Sequence, residues 1–169
     1  AGIRAGDVIV KVGAAEVALA KAEAAHGMIP AEAAFEIERH APAASLERAK
    51  AIELEISHDM MAIVKTISEV SGDAGRWVHY GATSNDILDT ATSLQLSQSL
   101  NIIDRKLRIL LGVLLKRSDA TKTLVCIGRT HGQHGVPTTY GLRFAIWASE
   151  IGRHIERLEQ LRPRVVVGQ

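Results

Sequence analysis

The sequence predicts an all-α protein, on three observations. Hydrophobic residues make up 47% of the chain, with alanine and leucine abundant, while aromatics contribute only 4%, a balance that favours helices over sheets. Apolar residues recur at three- and four-residue spacing along most of the chain, the period of a helix face. Helix start and stop residues fall between these periodic stretches, notably Gly27 with Pro30, Pro137 and Pro163.

Residues 1–13 are the exception. Val8, Ile9, Val10 and Val12 are β-branched and lie between glycines, which reads as a strand. The fragment R-A-G-D-V-I is weakly similar to a strand of PDZ domains, so residues 1–15 are set apart as an atypical terminal segment. Residues 14–26 turn helical, with Val17, Leu19, Ala20 and Ala24 among Glu16, Lys21 and Glu23; Gly27 ends this helix. Pro30 suits the first turn of a short helix over residues 31–39, which His40-Ala41-Pro42 breaks. Residues 45–70 read as one helix, with Leu46, Ile52, Ile56, Met60, Ile63, Ile67 and Val70 on one face and His58-Asp59 on its surface. Residues 71–75 read as a loop, and Trp77 and Val78 are expected to pack and aim His79.

Residues 86–117 carry the longest periodic pattern: Ile87, Ala91, Leu94, Leu100, Ile103, Leu107, Leu110 and Leu114. At 1.5 Å per residue this helix would reach about 48 Å, far beyond the usual three to four turns. Further apolar positions at Leu96, Ile102, Ile109, Leu111, Val113 and Leu115 predict burial on more than one face, in a bundle completed by other subunits. After a connector at 118–122 and a short apolar stretch at 123–127 comes a glycine-rich segment. Pro137 is then expected to open a last helix, with Leu142, Ile146, Ala148, Ile151, Ile155 and Leu158 inward and Pro163 at its end. The apolar tail at 165–169 has no closing element, so the chain reads as incomplete.

Composition excludes several classes of function. A net charge of +1 with mixed signs gives no footprint for nucleic acid or an anionic membrane. No apolar run approaches the ~18–20 residues of a membrane span, and the start lacks a signal-peptide pattern. The single cysteine, Cys126, allows no internal disulfide and fits a reducing cytoplasm; its apolar neighbours suggest an inert thiol.

Two polar segments stand out. His79-Tyr-Gly-Ala-Thr83-Ser84-Asn85-Asp86 sets a glycine-led turn with two hydroxyls at the entrance of the long helix. Unpaired N–H groups and the positive end of the helix dipole favour an anion there; a plain helix cap is the competing reading. Gly128-Arg129-Thr130-His131-Gly132-Gln133-His134-Gly135 adds an arginine suited to gripping carboxylate or phosphate and histidines suited to proton transfer. His131 and His134 have an H-x-x-H spacing, but no cysteine or helical carboxylate partner accompanies them, so no metal is expected. Fingerprints of a serine-hydrolase elbow, a P-loop and a dinucleotide fold are all missing.

Both segments, H-Y-G-A-T-S-N-D-I-L-D-T-A and G-R-T-H-G-Q-H-G-V-P-T-T-Y-G, resemble signature regions of the fumarase/aspartase superfamily, and within it the adenylosuccinate lyase branch. The two segments begin about fifty residues apart, as the family's do, and the likeness takes in His58-Asp59 and the G-M-I-P at residues 27–30; it covers roughly residues 16–165 and leaves out 1–13. It implies an N-terminal helical domain over 16–85, then the first long helices of a central bundle over 86–169. By resemblance the activity is β-elimination of fumarate from adenylosuccinate, giving AMP, and from SAICAR, giving AICAR, in purine synthesis, without cofactor or metal. The superfamily also contains argininosuccinate lyase and carboxymuconate cycloisomerase, and a non-catalytic helical assembly domain is an alternative of another class. The resemblance implies that His131 is the general acid and that His58 assists it or binds phosphate. His79, Thr83, Ser84 and Asn85 are then substrate-binding, with Asp86, Arg129, Thr130 and Gln133 shaping the pocket. It further implies a cytoplasmic homotetramer. The family's third signature, S-S-x-M-P-x-K-x-N, with its serine base, is not in this sequence, so turnover by this chain alone is not expected.

Overall fold

The computed structural model describes the backbone of residues 5–168 and the side chains of residues 11–168. Among the described residues six helices and one β-hairpin follow in order: α1 Ala5–Ala25, α2 Ala31–His40, α3 Leu46–Ile56, α4 Asp59–Val70, α5 Ser84–Ala120, β1 Val125–Thr130, β2 Gln133–Thr139 and α6 Tyr140–Val165. Short 3₁₀ turns at Ala41–Ala43 and Gly72–Trp77 join the first elements. The protein is all-α apart from the hairpin. Two compact units divide the chain, one of residues 1–96 with 166–169 and one of residues 97–165.

Within the first unit, α1 corrects the strand expected near the start. Helix runs through Val8–Val12, and residues 1–4 lie outside the described part. β-propensity is context-dependent, and here Val12 is wholly buried among Ala15, Ala20, Ile37, Met60 and Ile67. Continuing the alanine-rich helix backwards places that valine in the core. The helix closes in a full Schellman motif: Gly27 takes φ +70°, its N–H bonds Ala24 O at 3.0 Å, and Met28 N–H bonds Glu23 O at 2.8 Å.

The single helix expected over residues 45–70 is two. Ser45 caps α3 by accepting Arg48 N–H at 3.1 Å. α3 ends where Ser57 enters the left-handed region at φ 53°. His58 is extended and starts α4 as its N-cap, its Nδ1 accepting Met61 N–H at 3.2 Å. The apolar period survives the break because each helix still buries residues of its own, Ile52 on one and Met60, Val64 and Ile67 on the other. Periodicity alone therefore missed the corner.

In the second unit the chain leaves the long helix through residues 121–124 and forms an antiparallel hairpin from the short apolar stretch and the glycine-rich segment. Its register pairs Val125 with Thr139, Ile127 with Pro137, Arg129 with His134 and Thr130 with Gln133. Pro137 thus sits in a strand rather than opening a helix, as proline can on a two-stranded ribbon with solvent beyond it. α6 begins at Tyr140 and runs past Pro163 to Val165. Leu142 and Ile146, expected inward, are more than half exposed, while Ala148 and Ile155 are buried. Gly141 lets α6 start against the preceding turn: a Cβ there would lie 2.5 Å from Lys122 Cα and 2.7 Å from Ser118 O.

Candidate functional site

The two polar segments belong to different compact units, and each forms its own constellation. In the first unit, Val78 is buried and Trp77 packs against the core, as expected for residues that aim His79. Trp77 meets Tyr80 edge-on at 5.3 Å between ring centroids. His79 itself adopts φ 64° and Gly81 φ 71°, so the chain coils tightly before entering α5. A non-glycine residue held at positive φ is uncommon, although histidine tolerates it better than most.

The His79 ring is turned inward to α1. Its Nδ1 lies 2.7 Å from Oε1 of Glu16, whose side chain is fully buried. Burial pushes the Glu16 carboxyl above its usual value; the adjoining ring and its hydrogen bond pull it partly back, and Glu23 pushes it further up. Burial likewise raises Glu23, with His79 acting against it. Oε2 of Glu16 and Oε2 of Glu23 are both buried without a hydrogen-bond partner. Glu23 also flanks the turn, its Oε1 coming within 3.8 Å of the Cβ position at Gly81.

Neither glutamate was singled out from the sequence. A signal existed: Val12, Glu16, Ala20 and Glu23 follow the three/four spacing of α1's buried stripe, and a carboxylate on such a stripe needs a partner.

At the entrance of α5, Asp86 reaches back so that its Oδ2 accepts Thr83 N–H at 2.8 Å, while Asp86 N–H bonds Thr83 O at 3.1 Å. This is the return half of a capping box. Asp86 is therefore engaged in the helix start. The hydroxyls of Thr83 and Ser84 and the amide of Asn85 make no side-chain hydrogen bond among the described residues. The turn is thus a helix start capped through Asp86, with the hydroxyls of Thr83 and Ser84 left beside it.

His58 is half exposed beside Asp59, with 3.7 Å between Nδ1 and Oδ1. Its place is the N-cap of α4 and not the helix face assumed from periodicity. Because Nδ1 accepts a backbone N–H, the neutral ring carries its proton on Nε2. His79 has the opposite pattern if Glu16 is ionised, with Nδ1–H donating to the carboxylate. No hydrogen bond joins His58 to His79 among the described residues.

In the second unit the Thr130–Gln133 pair closes a two-residue loop of His131 and Gly132, with φ 50° and 74°. Positive φ at both central residues marks the primed turn whose twist suits a hairpin. His131 is thereby lifted to the exposed apex, where its ring has no hydrogen-bond partner among the described residues. Below it the register slips: Gly128 on β1 faces two residues of β2, Gly135 and Val136, in a bulge. A Cβ at Gly128 would lie 2.9 Å from Val136 O, and one at Gly135 would lie 3.1 Å from Gly128 O. Gly128 and Gly135 are thus positions where the facing strand leaves no room for a side chain. Arg129 and His134, cross-strand partners, come within 3.4 Å through Nη2 and Nε2. Thr130 and Gln133 flank the apex, exposed. No cluster of three metal-ligating side chains occurs among the described residues, and none of the described helices is long and apolar enough to cross a membrane.

Comparison with known proteins shows the family. A family profile described as lyase matches residues 3–169, which takes in most of the first thirteen residues that the motif resemblance had left out. The chain is 54% identical over 156 residues to an adenylosuccinate lyase of Pyrococcus horikoshii, covering 91% of this chain and 35% of the relative. It is 52% identical over 155 residues to the adenylosuccinate lyase of Methanocaldococcus jannaschii, covering 90% and 34%. It therefore spans about a third of the length of these curated relatives. Among solved structures, a fumarate lyase from Mesorhizobium sp. BNC1 superposes with a TM-score of 0.92 at 36% identity, over 98% of this chain and 40% of that one. With its signature segments built into a helix entrance and a hairpin apex, the chain belongs to this lyase family, part of the fumarase/aspartase superfamily.

Proposed function

We propose that the chain supplies the acid-bearing part of an active site that eliminates fumarate from a succinylated purine nucleotide, as in adenylosuccinate lyase, yielding AMP from adenylosuccinate and AICAR from SAICAR. The observation that carries this reading is the apex geometry of His131: an exposed, uncommitted imidazole on a short, braced hairpin. In β-elimination a base removes a proton from the succinyl carbon while the C–N bond breaks, and the leaving nitrogen must be protonated. A rigidly presented imidazole suits that second task.

The remaining residues have roles that fit a polyanionic substrate. Thr83 and Ser84 would donate their hydroxyls to a succinyl carboxylate, helped by the positive end of the α5 dipole. His58, with its proton on Nε2, is suited to donate to a phosphate or to assist the acid. His79 and Asn85 in the first unit, and Arg129, Thr130 and Gln133 in the second, would contact substrate, and Asp86 would hold the Thr83 turn. The domain reading follows the family: a helical domain to about residue 85, then the start of a long-helix bundle that assembles as a homotetramer. No resident cofactor is invoked. The serine-bearing signature that provides the base in the family is missing from these 169 residues, so the expected result for this chain alone is substrate binding without turnover.

The test uses two forms. On the 169-residue chain, replacing Thr83 and Ser84 together by alanine should weaken fumarate or AMP binding by calorimetry, and unchanged affinity would remove the turn from the site. In a full-length relative carrying these segments, His131→Ala should lower kcat by ~10²–10⁴, the usual range for lost acid–base catalysis. Undiminished turnover there would sink the assignment of the acid.

A further inference from the structure

The mechanism just proposed uses His79 but leaves unexplained why two buried carboxylates converge on it. Glu16 and Glu23 lie seven residues apart on the buried stripe of α1, and both have an oxygen with no donor. Burying such groups is costly unless they are paired. The only ring nitrogen engaged is Nδ1, at 2.7 Å from Glu16, and the His79 side chain is 11% exposed. Nε2 makes no hydrogen bond among the described residues. The backbone at residue 79 is held at φ 64°, so neither the main chain nor the ring is where a helix cap or simple core packing would put it. Histidines that act through one nitrogen commonly have the other fixed by a carboxylate or carbonyl, which sets both tautomer and ring direction.

We propose that Glu16 is a positioning residue for His79: its buried carboxylate accepts Nδ1–H, fixing the ring so that Nε2 is the nitrogen offered to the substrate. The inference rests on the functional reading above for what Nε2 meets, but not for the lock itself. Glu23 is the second charged group facing the ring. It stands beside the turn that follows His79 and directly bonds neither ring nitrogen. The lock therefore belongs to Glu16, while Glu23 adds negative charge near it.

The lock can be read in the 169-residue chain with ¹⁵N-labelled histidine, using long-range ¹H–¹⁵N correlations at a pH where the ring is neutral. A free neutral imidazole prefers its proton on Nε2, so a His79 with the proton on Nδ1 is the expected signature. Glu16→Gln keeps the volume but removes the carboxylate, and should return His79 to a mixture of tautomers with helicity by circular dichroism unchanged. Glu23→Gln should leave the Nδ1–H form in place. A proton on Nε2 in the unmodified chain, or the same tautomer in Glu16→Gln, would overturn the proposal. Should Glu16→Gln lose helicity, the tautomer of the unmodified chain alone decides. Adding fumarate or inorganic phosphate to the same sample separates the two claims. Movement of the His79 Nε2 resonance supports both, while a locked tautomer with a flat titration upholds the positioning role and counts against the substrate reading.

Discussion

At the scale of single residues, the informative groups are those whose chemistry is unbalanced. Glu23 carries a buried oxygen without a donor, and burial raises its carboxyl above the usual 4.5. When the folded pKa lies above the unfolded one, the native state binds more protons between the two values, so stability falls as pH rises through that window. Below about pH 4.5 the penalty is absent. Glu23→Met, which fills similar space without an orphaned charge, should therefore stabilise the chain at pH 7 by about 1–3 kcal/mol. The gain should shrink toward pH 4, and urea denaturation at the two pH values reads it; equal gains at both would show that titration of Glu23 plays no part. The sequence announced the polar signature residues by their density, because hydroxyls, amides and histidines crowd into two short runs. It hid Glu16 and Glu23 because a lone glutamate among alanines looks like a solvated face until its position on the buried stripe is counted.

At the scale of elements, helices were legible wherever apolar period and punctuation agreed, as in α2 with Pro30 before it or α5 with its thirty-seven residues. They were misread where a local backbone event left the period intact, as at Ser57 and His58. The hairpin was the larger gap. Gly132 takes positive φ and Gly128 and Gly135 lie where the strands leave no room for a side chain, but the glycine-rich segment was not read as a strand, a two-residue turn and a strand. Two substitutions test how these glycines act. Gly128→Ala should strain the bulge at Val136 O and loosen the apex. Gly141→Ala should cost more, about 1–3 kcal/mol or above as an overpacking defect, because the atoms it meets at 2.5–2.8 Å are all backbone. Thermal denaturation should rank Gly141→Ala well below the parent chain, and an unchanged midpoint would mean the α6 start can shift freely.

For the whole molecule, the apolar surplus predicted on α5 is present as exposure. Ile102, Ile103, Ile109, Leu110, Val113 and Leu115 are each at least two-fifths exposed, and on α6 Leu142, Ile146 and Trp147 are more than half exposed. A patch of this extent is uncommon on a monomer, and it is the surface the proposed tetramer would bury. Sedimentation velocity should find the chain associated at micromolar concentration. Charged replacements at Ile109 and Val113 should shift it toward monomer without loss of helicity, and a monomeric parent chain would count against assembly through this face. The sequence made this legible because a helix with hydrophobic residues around most of its circumference needs neighbours on more than one side.

The left-handed backbone at His131 also decides how its chemistry can be interrogated. At φ 50° the Cβ of any side chain crowds the following carbonyl, at about 1–2 kcal/mol, and alanine lacks the polar side chain that makes this backbone more tolerable to histidine and asparagine, so lost activity in His131→Ala would mix a missing proton donor with a loosened hairpin. Asparagine visits that conformation readily and cannot supply a proton near neutral pH. His131→Asn is thus the cleaner deletion of the acid, and the difference between the two variants measures how much of the imidazole's usefulness is owed to the scaffold that holds it up.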